Sequence, residues 1–150
     1  MGVQPFLLVS TLNVSIAQRL VRKLGESKEK YLLKKNEVAQ LAEQANLEIV
    51  MKALKEEKII DPKISSWEKV PFYKAHTSNE KEDGYSGRVV IHEVLQMSPS
   101  VRELVMKNAT AGQIEKQARE EGMLTMAEDG IFKAAQGLTT IEEVLRVISE

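Results

Sequence analysis

The chain contains no cysteine, which excludes disulfide bonds and thiolate metal sites. It also lacks an excess of either charge, with 21 basic residues against 22 acidic ones and a net charge of −1. A nucleic-acid surface needs a basic surplus to displace counterions from phosphates, so no nucleic-acid partner is expected. No stretch approaches the roughly 18 to 20 successive apolar residues that cross a bilayer, and no direct membrane insertion is expected. The apolar start, Pro5 to Val9, has no basic segment ahead of it and is soon broken by Ser10, Thr11 and Asn13, unlike a signal peptide. Phe6 stands where a myristoylation motif needs Ser or Thr. These features make the cytoplasm the expected compartment. What remains is an ordinary globular composition, 43% apolar and 29% charged over 150 residues, enough for one domain or two small ones.

Phosphate and nucleophile chemistry are missing as well. A phosphate loop needs G-x-x-x-x-G-K-[ST], because backbone N–H groups, a lysine and a hydroxyl must converge on phosphate and magnesium. GESKEK at 25–30 lacks the second glycine, and GYSGR at 84–88 lacks the lysine. No serine sits in G-x-S-x-G. His76 and His92 are too few for an ordinary zinc site. His76 falls in a polar loop near Glu80, Glu82 and Asp83, where a solvated loop is expected rather than a cation site. His92 falls in the middle of a strand, where a packed or surface role is expected.

The elements follow from periodicity and punctuation. Pro5 leads a short helix or turn over 5–12, and 16–24 fits helix or strand equally. The polar stretch 25–35 reads as a loop. Helices follow over 36–45 and 47–57, the second with Leu47, Val50, Met51 and Leu54 at i, i+3, i+4 and i+7. Residues 58–72 hold two prolines and read as an extended connection, and 76–84 as a charged loop. A β-branched strand spans 88–95, with Val89, Ile91, Glu93 and Leu95 on one face. Glu93 interrupts that apolar face; it either pairs with Arg19 or Arg22, or faces water on an edge strand. Four short helices close the chain, near 99–108, 111–121, 126–136 and 140–149. Ser98-Pro99 starts the first. Capping boxes Thr110–Gln113, Thr125–Glu128 and Thr140–Glu143 start the others, and Gly122 and Gly137 sit at helix ends.

Two long stretches carry a resemblance: GYSGRVVIHEVLQMSP from Gly84, and EEGMLTMAEDGIFKAAQGLTTIEEVLRVI after it. With the front segment GVQPFLLVSTLNVSIAQRLVRKL, they resemble the type II secretion protein E and type IV pilus assembly ATPase family. The resemblance implies that residues near 17–24 and 88–95 are paired strands with a small subdomain inserted between them. Many family members hold zinc in that insert with two cysteine pairs, which would fall just after Leu24 and at Thr77 and Glu80. No pair is present, so no metal role carries over, and packing must hold the insert, with Trp67, Phe72 and Tyr73 as candidates for the contact. The Walker A loop, acidic boxes and histidine box of the family lie upstream of GVQPF and are absent. Met1 matches a methionine internal to the family, so a truncated or split gene, or a mis-assigned start, is the expectation. Gln18, Arg19 and Arg22 match the family's AQRLVR motif, which implies a place near the nucleotide pocket of the parent enzyme.

The expected fold is α+β and mainly helical: a two-stranded antiparallel hairpin, an inserted helical subdomain over 25–83, and a C-terminal bundle of short helices, with 1–24 and 84–150 forming the C-terminal part of the ATPase domain. The expected role is that of a C-terminal fragment of a hexameric cytoplasmic ATPase, peripheral to the inner membrane, that powers pilus assembly or secretion. ATP and Mg belong to the parent enzyme; the chain lacks a P-loop and by itself has no cofactor, metal or catalytic residue. Its expected partners are the ATPase core or neighbouring ATPase subunits, and the inner-membrane platform protein of the machine. The alternative is a stand-alone, non-catalytic interaction module that binds or regulates the assembly ATPase. The apolar surface of Pro5 to Val9 predicts an isolated chain that associates or is marginally stable.

Overall fold

A computed structural model describes residues 2–77 and 83–149. The elements run α1 (Pro5–Thr11), β1 (Val14–Leu24), β2 (Lys28–Leu32), α2 (Lys35–Gln44), α3 (Leu47–Glu56), β3 (Pro71–Ala75), β4 (Tyr85–Gln96), α4 (Pro99–Met106), α5 (Ala111–Glu120), α6 (Met126–Ala135) and α7 (Ile141–Ser149), with a 3-10 turn at Trp67–Lys69. Helices dominate and the strands form two small antiparallel sheets, so the fold is α+β and mainly helical. In the first sheet β1 pairs with β4. In the second, β2 pairs with β3 in the register Glu29↔Lys74 and Tyr31↔Phe72.

The sequence's start signals act as expected. Ser98 Oγ accepts the Val101 N–H ahead of Pro99, and Thr110 and Thr125 each close a capping box with the residue three ahead. Gly122 and Gly137 take φ of +101° and +77°, the left-handed region a helix end needs. The stretch 16–24, open between helix and strand on its own residues, is strand, as the family resemblance implies. Two readings are corrected. The expected loop over 25–35 contains β2, and the connection over 58–72 closes with the 3-10 turn and the start of β3. The insert is therefore helix and sheet, not helix alone.

Backbone contacts divide the chain into two units. One comprises Met1–Ala17 and Glu93–Leu124. In it α4 packs on α1 and α5, and Met97, Val101 and Ala118 are buried. Arg102 ties it together: its guanidinium donates to Val9 O, to Met97 O at 2.9 Å and to Asn13 Oδ1 at 3.0 Å. Helix α1 itself buries no residue.

The other unit comprises Gln18–His92 and Thr125–Glu150. Its main core joins Leu41, Val50, Leu54 and Phe72 of the insert with Ile131, Ala134 and Ile141 of α6 and α7. Phe72 is wholly buried. Trp67 stacks on it at 6.2 Å and Tyr31 meets it at 6.5 Å, so Trp67 and Phe72 supply the contact foreseen for an insert without metal. Tyr73 is only partly buried and receives Lys28 over its ring at 5.1 Å. A smaller cluster joins Val21 and Ile91 of the first sheet to Val147 of α7.

Candidate functional site

The motif around α6 and α7 resolves into polar ties. Glu128, fully buried, accepts the Thr125 N–H at 2.8 Å within its capping box. Its other oxygen accepts the Asn46 N–H at 2.9 Å, at the start of α3. Asp129 accepts the His92 N–H at 2.9 Å and the Lys133 ammonium at 2.6 Å. Lys133, 14% exposed, also donates to Val90 O at 2.7 Å. Gly130 admits no side chain, since a Cβ would lie 2.4 Å from Val144 Cγ1. Gly137 O accepts from Lys28 Nζ at 2.8 Å. Thr139 Oγ1 donates to Arg22 O at 2.8 Å, and the Thr140 and Tyr85 hydroxyls lie 3.0 Å apart.

Glu143 is the centre of this arrangement. It is 2% exposed. Its carboxylate accepts from the Arg22 N–H at 3.0 Å, from Arg22 Nη2 at 2.7 Å, and from Arg146 Nε and Nη2 at 3.1 Å each. Burial is the strongest single influence on its carboxyl and pushes the pKa up. The hydrogen bonds from Arg22 and Arg146 together outweigh it and bring the pKa down to about 2. The same hydrogen bond raises the Arg22 guanidinium above its ordinary value. Arg22 also lies 4.2 Å over the Tyr85 ring and bonds Asp83 at 3.1 Å. A buried carboxylate is tolerable only when its lone pairs are satisfied in this way.

Beside these ties an open cleft of about 610 Å³ is lined by Gln18, Arg19, Leu20, Val90, Arg146 and Val147. Arg19 donates through Nη1 to Val147 O. Of the three residues the AQRLVR motif singled out, Gln18 and Arg19 thus line one cleft, while Arg22 turns to Glu143, Tyr85 and Asp83. Both guanidinium groups of the cleft already donate to protein acceptors, and no glycine contributes to its lining. That donor set lacks the glycine-rich backbone and lysine of a phosphate loop. Among the described residues no group of three or more histidine and acidic side chains could hold a metal ion. Glu80 and Glu82, which the sequence sets near His76, lie outside the described residues.

Tyr85 and Lys133 carry no local signal in the sequence, and Glu143 is legible there only as part of a capping box. Glu143 had one signal, its place three residues after Thr140, and its N–H does donate to Thr140 Oγ1 at 3.2 Å. Nothing in the sequence indicated that its carboxylate would be buried against Arg22, 121 residues away.

A mainly helical α+β chain of this kind, tied through these motifs, defines a class. The model of the type II/IV secretion system protein family matches residues 1–146, and the chain belongs to that family. It is 38% identical, over its whole length, to the type II secretion system protein E of Xanthomonas campestris pv. campestris, and covers 24% of that protein. It is 35% identical to the type II secretion system ATPase E of Vibrio cholerae and 33% identical to the type IV pilus assembly ATPase PilB of Pseudomonas aeruginosa, again over its whole length, and covers 26% and 23% of them. The chain thus spans about a quarter of the length of these relatives.

Proposed function

We propose that this chain is the C-terminal region of a hexameric cytoplasmic ATPase, peripheral to the inner membrane, that powers type IV pilus assembly or type II secretion. By itself it is not catalytic; ATP and Mg act in the parent enzyme. It contributes subunit contacts and couples nucleotide state to motion, with the ATPase core or neighbouring subunits and the inner-membrane platform protein as partners. Gln18, Arg19 and Arg22 belong near the nucleotide pocket of that parent, and 25–83 forms a cysteine-free insert within it. One observation carries this reading. The family motifs are spent on ties that brace β1 and β4 against α6 and α7, and the braced strand presents Gln18 and Arg19 on an open cleft that has no phosphate loop of its own.

Two measurements test it. The purified chain should release no phosphate from ATP and Mg above a blank. Spliced in place of the matching region of the Pseudomonas aeruginosa relative, it should give a hexamer with ATP turnover, and Arg19→Ala in that chimera should lower kcat by about tenfold or more while leaving the hexamer intact. Turnover by the isolated chain, or a folded hexameric chimera whose turnover ignores Arg19→Ala, would overturn the assignment.

A further inference from the structure

The insert carries a second concavity that none of these ties uses. Helix α3 presents Glu48, Met51, Lys52 and Lys55 at i, i+3, i+4 and i+7, so all four share one face. Ser65 and Trp67 of the following connection stand across from them and close a groove of about 400 Å³. Its floor is Met51 and Trp67, both half-buried and both packed on the core. Trp67 is backed by Phe72, with the rings stacked within 23° of parallel. Two lysines against one glutamate make the rim cationic. Lys52 pairs with Glu56 only loosely, at 3.7 Å with both side chains mostly exposed, so its ammonium is largely available.

We propose that this groove binds an acidic peptide segment of another protein, which inserts one apolar side chain between Met51 and Trp67 while its carboxylates meet Lys52 and Lys55. A tryptophan held from behind by the core loses little freedom on binding, and a methionine adapts to the shape of the incoming group. The lysine pair selects for negative charge around that anchor. The assignment is independent of the nucleotide-related reading of Arg19.

Trp67 is the sole tryptophan of the chain, so its fluorescence reports the groove directly. The probe is the acetylated peptide DELFEDL, which has no tryptophan, with KKLFKKL as control. Titration of the full chain with DELFEDL should shift Trp67 emission to saturation, with binding weakened several-fold by added salt and by about tenfold or more in the variant Lys52→Glu/Lys55→Glu, which changes one exposed and one half-buried lysine. Lys52→Gln/Lys55→Gln should lie between, and circular dichroism melts of both variants should match the parent. The proposal is overturned by an emission that does not saturate, by equal binding of KKLFKKL, or by a folded charge-reversed variant that binds DELFEDL undiminished. An emission that shifts with protein concentration alone would assign the groove to a second copy of this chain and overturn it too.

Discussion

Helices α1 and α7 are both short and both carry several large apolar side chains, yet they are used in opposite ways. Helix α7 buries Ile141, Val144 and Val147, and seats Glu143 in a cage of four N–H donors. Helix α1 buries nothing, leaving Phe6 66% and Leu7 50% exposed. The difference lies in the polar partners. In α6, Glu128, Asp129 and Lys133 reach backbone groups of Asn46, His92 and Val90, and in α7 Glu143 reaches the Arg22 N–H, which fixes the register of the apolar face against its neighbours. Only the end of α1 is held in this way, through Val9 O and Arg102. The motif stretch that spans α6 and α7 thus supplies structural bracing.

The contrast can be broken first at the core that α6 and α7 share with the insert. Phe72→Ala removes a wholly buried ring that touches Trp67 and Tyr31. It should cost about 3–5 kcal/mol, read by urea unfolding. A loss below about 1 kcal/mol would mean that the insert is not cemented through this residue.

Glu143 tests whether charge, rather than packing, seats α7. Its carboxyl is held at about 2 in the folded chain against an ordinary value of 4.5, a lowered pKa. Its ionisation therefore contributes stability that is fully present above pH 4.5 and is lost as pH falls from there toward 2. Glu143→Gln should cost roughly 2–3 kcal/mol at neutral pH, and the difference from the parent should shrink steadily below pH 4.5. A penalty that stays constant through acid would assign the effect to shape alone.

Gly130 tests the close approach of α6 to α7. Gly130→Ala places a methyl group 2.4 Å from Val144 Cγ1 and should cost about 1–3 kcal/mol through overpacking. Val144→Ala is itself a core truncation, so it should cost less in the Gly130→Ala chain than in the parent, and equal losses in the two backgrounds would refute the proposed clash.

Much of this was legible because helix starts are local. Thr110, Thr125 and Ser98 announce their helices within four residues, and the structure caps them so. Strand β2 was not legible, because its reason is distant. Lys28, Glu29 and Lys30 read as a solvated loop, and only pairing with β3 makes them strand, through Glu29 opposite Lys74 at 3.2 Å and Tyr31 opposite Phe72. The same holds for the site. Gln18 and Arg19 were found by motif and do line one cleft, but the partners of Arg22 lie in α7 and beside β4, where no spacing rule reaches. Glu128 shows the limit most clearly: its capping box was readable, and its second bond to the start of α3 was not.

The smallest expected effect is the sharpest test of the comparison. Phe6→Ser in α1 should change unfolding free energy by no more than about 0.5 kcal/mol, since a side chain 66% exposed has little packing to lose. Its consequence should instead appear in solution behaviour. Phe6, Leu7 and Leu8 leave adjoining apolar surface in water, which drives association, so sedimentation of the Phe6→Ser variant should show less self-association at equal concentration. A variant that melts several degrees lower without any change in association would mean that α1 is packed as α7 is, and the contrast between the two helices would fail. A variant that is unchanged in melting and less associated would leave α1 as a surface whose apolar character serves contacts beyond this chain's own fold.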